Sequence, residues 1–181
     1  MPEINTAEKE LGKVYSPAQV EEKWYPIWEQ SGAYKPAENG SDSFTLMIPP
    51  PNVTGILHMG HVLNISIQDV LVRRARMLGK STLWLPGMDH ASIATEAKVT
   101  KMLKEEGINK REIGREEFLN HAWKWKEKYG GIIFQQLKKL GASCDWDREK
   151  FTMDADYSKA VLEVFVQLYN DGLIYRGERI I

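Results

Sequence analysis

The sequence predicts an α/β fold built on a parallel sheet, and three observations carry that expectation. The runs Phe44-Thr-Leu-Met-Ile48 and Thr82-Leu-Trp-Leu85 are short and mostly apolar without alternation, as parallel strands covered on both faces are. Each is followed by apolar residues at helical spacing, from about Gly60 to Leu78 and from Ser92 to Gly107. Strand, helix, strand and helix in that order make a right-handed βαβ unit, the opening of a Rossmann-like parallel sheet with additional long helices.

Each element follows from its own residues. Residues 17–31 read as a helix with Ser16 as N-cap and Pro17 at the first helical position, and Pro26 is placed to kink it or end it early. Residues 32–43, rich in Gly, Pro, Asn and Ser, read as a connecting loop. In the first helix of the sheet unit, Leu63, Ile67, Val70, Leu71, Ala75 and Leu78 form the expected core stripe, with Arg73, Arg74 and Arg76 on other faces and Gly79 as the stop. Ser92 is expected to cap the next helix. A long helix is predicted from about Arg115 to Leu140, where Gly130-Gly131 would allow a kink or a close helix contact. Asp154 is expected to cap a last helix whose stripe is Val161, Leu162, Phe165, Leu168 and Tyr169. Leu173 to Ile181 look like the start of a strand or hairpin, so the sequence reads as part of a longer protein. The expected division is 1–43, a helix and connecting loop, and 44–181, the first part of the sheet domain.

Composition bounds the function. At 181 residues and 43% hydrophobic, the chain can bury one sizeable core. A formal charge of −1, from 24 basic and 25 acidic residues, excludes an overall basic field that would advertise nucleic-acid binding. The single Cys144 forms no internal disulfide and reads as a small buried hydrophobe. No Cys-x-x-Cys pair offers a zinc site, no apolar run nears membrane-spanning length, and the N-terminus lacks a secretory pattern. These features predict a soluble, cytoplasmic protein without a metal site.

The chemistry concentrates in Pro49-Pro-Pro-Asn-Val-Thr-Gly-Ile-Leu-His-Met-Gly-His61, between the first strand and the helix after it. In open α/β sheets ligands sit at the carboxyl ends of strands, where a helix N-terminus offers free amides and positive dipole to phosphate. There His58 and His61 can donate hydrogen bonds to phosphate oxygens and stabilise charge developing in transfer, while Gly55 and Gly60 let backbone approach a ligand. The same two histidines also suit a polar helix start, or a metal site joined by Asp89 and His90.

The run as a whole is more specific. His58-Met-Gly-His61 resembles the His-Ile-Gly-His signature of class I aminoacyl-tRNA synthetases, and the Pro-Pro-Pro-Asn-Val-Thr-Gly before it resembles the valyl type. Trp84-Leu-Pro-Gly-Met-Asp-His-Ala-Ser-Ile-Ala-Thr-Glu96 is similar to a second element of those enzymes, with Met88, Ser92 and Glu96 in place of Thr, Gly and Gln. Trp123-Lys-Trp-Lys-Glu and Leu137-Lys-Lys-Leu-Gly-Ala-Ser-Cys-Asp-Trp extend the likeness over nearly the whole chain. The family's Lys-Met-Ser-Lys-Ser signature, which supplies lysines to the ATP phosphates, does not occur in these 181 residues.

The resemblance implies activation of valine with ATP, accompanied by Mg2+, and transfer to tRNA(Val). It assigns His58, Gly60 and His61 to ATP, with both histidines catalytic, and Pro50, Pro51, Asn52 and Asp89 to valine. It places the editing domain and the anticodon-binding parts outside this segment, which alone would be inactive in charging, and it implies a monomer. Another nucleotidyltransferase with a His-x-Gly-His start, or a non-catalytic RNA-binding module, are the competing readings. Trp123 and Trp125 read as packing residues, and Arg73, Arg74 and Arg76 as a solvated basic face.

Overall fold

The computed structural model describes residues 14–37 and 42–178, so the reading of the extreme N-terminus lies outside the described residues, as does part of the connecting loop. The chain divides into two compact units, residues 1–33 and 34–181. In the first, α1 (Pro17–Gln30) begins with Pro17, whose missing N–H is no loss in a first turn. Ser16 occupies the N-cap position without a side-chain cap bond, and the helix runs through Pro26 to Gln30.

In the second unit, β1 (Ser43–Met47) and β2 (Ser81–Leu85) pair in parallel, Ser43 opposite Ser81 and Met47 opposite Leu85. The helix α2 (Met59–Met77) connects them. Pro86 then interrupts the strand, since it has no N–H for a ladder. Beyond it, β3 (Gly87–Met88) pairs in parallel with β4 (Lys150–Phe151). The stretch 81–88 is therefore central, with β1 along one edge and the 145–151 segment along the other, where the Asp145 N–H donates to the Trp84 carbonyl at 3.0 Å. The expected parallel βα succession is present. β1, however, is covered on one face only: Thr45 and Met47 are exposed, because nothing among the described residues packs on that side.

The largest correction concerns α2. Ile65, Val72 and Ala75 are its buried residues, whereas Leu63, Ile67, Val70, Leu71 and Leu78 of the expected stripe are exposed. Nor do Arg73 and Arg76 line a solvated face. Asp69 pairs with Arg73 at 2.6 Å and accepts from the Ser143 N–H and hydroxyl at 3.0 and 2.6 Å. Arg73 donates to the Gly141 carbonyl at 2.7 Å, and Arg76 to the Ser143 hydroxyl and carbonyl at 2.6 and 2.8 Å and the Tyr34 carbonyl at 3.1 Å. The turn after the long helix offers carbonyls that need donors, and half-buried guanidinium groups supply them. Arg74 alone of the three is exposed.

The helix α3 (Ser92–Glu105) starts after Ala91, which is left-handed (φ 43, ψ 58), so Ser92 is its first residue and not its cap. The long helix α4 (Lys110–Lys139) is interrupted at Gly114 (φ 74, ψ 176), leaving a continuous body from Arg115 as expected. No kink falls at Gly130-Gly131. Gly130 instead admits Met88, whose Cε would lie 3.0 Å from a Cβ placed there. At the end of α4, Gly141 (φ 88) donates to the Lys138 carbonyl and Ala142 to Leu137, a C-terminal motif that needs a left-handed residue at that position. In α5 (Ala155–Asn170), Asp154 stands at the N-cap without capping, its carboxylate accepting from the Phe151 N–H at 2.8 Å. None of its residues is buried. Residues 173–178 form no strand, and 179–181 lie outside the described residues.

The core lies between the central strand and the helices. Trp84, Ile48, Val72, Leu103, Ile133 and Leu137 are almost fully buried, each worth roughly 1.5–3 kcal/mol relative to exposure for the aliphatic side chains. Cys144 is fully buried, as its reading required, and burial pushes its thiol pKa up beyond the ordinary range. Among the described residues no helix is long and apolar enough to cross a membrane.

Candidate functional site

Past Ile48 the chain cannot continue as an ordinary strand, because Pro49, Pro50 and Pro51 have no N–H to give. It stays beside the central strand through carbonyls: Pro51 accepts from the Asp89 N–H at 2.9 Å, and the Val53 N–H donates to the Asp89 carbonyl at 3.0 Å, forming a parallel bridge between Asn52 and Asp89. Pro51 and Val53 are thereby buried while Pro50 and Asn52 remain exposed. The backbone then turns and enters α2 at His58.

That helix start is unusual in its chemistry. His58 is the N-cap (φ −128, ψ 174), and its Nδ1 accepts from the Gly60 N–H at 3.1 Å. His61 reaches back, its Nδ1 accepting from the His58 N–H at 3.2 Å. Two orphan donors of the first turn are thus satisfied reciprocally, by imidazoles in place of the usual hydroxyl and carboxylate. The ring centroids are 4.0 Å apart with planes tilted 49°. Because each Nδ1 must present a lone pair to an N–H, each neutral ring carries its proton on Nε2. Neither Nε2 has a hydrogen-bond partner among the described residues. Burial, followed by the neighbouring charge of His58, holds the His61 pKa below its ordinary value. Gly60 is required by the same geometry: a Cβ would lie 3.0 Å from Cε1 and 3.1 Å from Nδ1 of the His58 ring.

A cleft of about 380 Å³ opens here, and its lining brings together Pro50, Pro51, Asn52, His58, Gly60 and His61. Asp89 is not part of that lining. It joins the others through the backbone bridge to Asn52, while its Oδ1 accepts from the Ala91 N–H at 2.9 Å and lies 3.4 Å from the Thr152 hydroxyl. That hydroxyl also accepts from the His90 N–H at 2.9 Å and lies 2.5 Å from His90 Nδ1. No hydrogen bond to Asp89 Oδ2 is present among the described residues. No group of three or more His, Cys, Asp or Glu able to hold a metal occurs among the described residues.

Sequence reasoning missed the residues that support this site from a distance. Trp125, read as packing, is buried as expected, but its Nε1 also donates to the Val53 carbonyl at 2.8 Å. The Gln136 Oε1 accepts from the Leu57 N–H at 2.9 Å. Thr152 holds Asp89 and His90. All three act over more than 60 residues of sequence, and no local pattern signals such pairs.

A parallel sheet with paired histidines capping the helix that follows its first strand accords with the class I synthetases. The statistical model of the family described as "tRNA synthetases class I (I, L, M and V)" matches residues 23–181, and the chain belongs to that family. Within it, the chain is 60% identical over 172 residues to the valine–tRNA ligase of Parabacteroides distasonis, covering 95% of this chain and 20% of that protein. It is 61% identical over 170 residues to the valine–tRNA ligase of Fusobacterium nucleatum, covering 93% and 19% respectively. The chain thus spans about a fifth of the length of these curated relatives. A crystal structure of the ternary LeuRS–tRNA–LeuAMS complex of Agrobacterium radiobacter superposes with a TM-score of 0.70 at 22% identity, over 91% of this chain and 20% of that one, a likeness of fold.

Proposed function

We propose that this chain is the ATP-binding part of a valine–tRNA ligase, which activates valine as valyl-adenylate and transfers it to tRNA(Val) in the cytoplasm. Residues 44–181 form the first part of its catalytic domain. The observation that carries the reading is the capped imidazole pair: two Nε2–H donors, fixed by their own backbone, stand free at a helix N-terminus beside the carboxyl end of β1.

In the reaction a carboxylate oxygen of valine attacks the α-phosphorus of ATP, and the bond to the pyrophosphate oxygen breaks. No protein nucleophile is needed, so the protein's contribution is position and charge stabilisation. His58 and His61 donate to the phosphate oxygens as negative charge moves onto them, and Gly60 permits close approach of the nucleotide. Pro50, Pro51 and Asn52 bound the amino acid, and the free Oδ2 of Asp89 receives its ammonium group. Mg2+ enters with ATP. The cleft lining holds no carboxylate, so the ion would be held by the ATP phosphates and not by this segment.

The absent Lys-Met-Ser-Lys-Ser signature leaves the phosphates held from one side only. The chain alone is expected to bind ATP weakly by isothermal calorimetry and to form no valyl-tRNA. A chain with no measurable ATP binding would remove the phosphate reading and favour a non-catalytic module, whereas charging at the rate of a full-length synthetase would show that the second signature is dispensable.

A further inference from the structure

We infer that Trp125 and Gln136 are positioning residues: from α4 they hold the segment that delivers His58 and His61 to the cleft. The ATP arm of this claim rests on the function proposed above; the imidazole arm does not.

The segment 53–57 lies between the last backbone bridge to the central strand, at Asn52, and the N-cap at His58. It is irregular, so its shielded polar groups need partners from elsewhere. Two come from one helix. The Trp125 Nε1–H donates to the Val53 carbonyl at 2.8 Å, and the Gln136 Oε1 accepts from the Leu57 N–H at 2.9 Å. These donor and acceptor positions are eleven residues apart, about three helical turns, and so share one face of α4. Ile133 and Leu137 on the same helix are almost fully buried, and the Trp125 ring lies 4.1 Å from that of Tyr129, which makes α4 a firm support.

The second contact stands next to the chemistry. Leu57 immediately precedes His58, and the His58 N–H is the group that fixes the His61 tautomer. If Leu57 N–H loses its acceptor, the peptide before the cap can rotate, and both Nδ1 contacts loosen with it. The alignment of the two Nε2 donors therefore depends on a glutamine 79 residues away in sequence.

The test compares Gln136→Leu, which removes the acceptor, with Gln136→Glu, which keeps it, and Trp125→Phe, which keeps the ring but not the donor. Ile133→Val serves as a destabilising control that touches neither bond. In 15N imidazole spectra of the unsubstituted chain, His58 and His61 should each show the single tautomer with hydrogen on Nε2. Gln136→Leu should mix the tautomers and raise the ATP dissociation constant about five- to tenfold, with a smaller change of the same kind for Trp125→Phe. Gln136→Glu should restore the single tautomer and the slow hydrogen exchange of the Leu57 amide. Ile133→Val should lower the melting temperature and leave the imidazole signals alone. Should Gln136→Leu and Trp125→Phe behave like Ile133→Val, losing melting temperature with both tautomers intact, the two residues are structural only and the inference is overturned. If the unsubstituted chain binds no ATP, the phosphate reading fails by itself, and the tautomer comparison still decides this claim.

Discussion

Two helices, α2 and α3, follow parallel segments joined by the Asn52–Asp89 bridge, and they use their N-termini in opposite ways. At α2 the first turn is capped by His58 and His61 through Nδ1, leaving a donor on each ring directed away from the cap. At α3 the chain enters through left-handed Ala91, and the Asp89 carboxylate accepts from the Ala91 N–H. Both starts satisfy local backbone donors, but one is left electropositive and the other already carries an anion. On the proposed reading, the first start would favour a phosphate and the second an ammonium group. Under the proposed function, the Asn52–Asp89 bridge would bring the amino-acid and nucleotide sites together, as joining a carboxylate-bearing amine to a nucleotide requires.

The largest expected effect lies at α2. In a synthetase of the relatives' full length carrying these residues, His61→Ala should lower valine-dependent pyrophosphate exchange by about 10²-fold or more, as loss of an oxyanion-type donor does. His61→Gln keeps an acceptor for the His58 N–H, so its melting temperature should stay near that of the unsubstituted protein while exchange still falls. Exchange unchanged in both would reduce His61 to a capping residue and erase the contrast between the two helix starts.

Next comes Asp89→Asn, which keeps the acceptor for the Ala91 N–H but removes the charge. A charge-assisted hydrogen bond is worth roughly 1.5–3 kcal/mol, so the Michaelis constant for valine should rise about tenfold or more, with that for ATP little changed. The ratio of valine to threonine activation should hold, since both amino acids carry the same ammonium. Spared valine kinetics with a lower melting temperature would make Asp89 a capping charge alone.

A smaller effect follows from titration. The His61 Nδ1 accepts from the His58 N–H only while unprotonated. Burial and the neighbouring His58 hold the folded pKa below the unfolded value, about 6.5. The folded state therefore takes up the proton less readily than the unfolded chain. The contribution of this cap is present above the unfolded pKa and is lost as pH falls through it towards the folded value. The protection of the His58 amide against hydrogen exchange, taken relative to the intrinsic rate at each pH, should fall over that acid interval, and His61→Gln, which does not titrate there, should abolish the change.

How far the sequence reveals this arrangement depends on the range of each interaction. Strand order, the helix periods and the glycine stops are local properties, and β1, α2, α4 and Gly79 fall close to where their residues predict. The side of α2 that faces inward is not local. Its periodicity identifies an apolar stripe, yet Asp69, Arg73 and Arg76 turn inward because the 141–143 turn, some 70 residues on, presents carbonyl and hydroxyl partners. Ser92 looks like a cap by residue type, but left-handed Ala91 holds the N-cap position, and the Asp89 carboxylate accepts from its N–H. At the cleft, the His58 and His61 pattern points to phosphate from sequence, and the fold gathers it with Pro50, Pro51, Asn52 and Gly60. Nothing in the letters tells which ring nitrogen is tied down, because the tautomer is set by backbone geometry.

The smallest effects come from moving a single methyl group at each helix start, and here the two should respond in different quantities, stability at one and ATP binding at the other. Ala91 is held at φ 43, where a Cβ crowds its own backbone at a cost of roughly 1–2 kcal/mol. Ala91→Gly relieves that strain, but it enlarges the conformational freedom of the unfolded chain, which opposes by about 0.5–1 kcal/mol. The balance should be a rise in melting temperature of no more than a few degrees, with ATP affinity unchanged because Ala91 does not line the histidine cleft. Gly60→Ala adds the same methyl at α2. Its Cβ would lie 3.0 Å from the His58 ring, so the ring must swing and its bond to the residue 60 amide must lengthen. Helix propensity favours alanine by about 0.8–1 kcal/mol, so stability should change little while ATP binding weakens. Calorimetry with ATP on both variants separates the two starts. Equal affinities in Ala91→Gly and Gly60→Ala would mean that the position of the His58 ring does not matter to phosphate, and the asymmetry between the helices would then have no functional content.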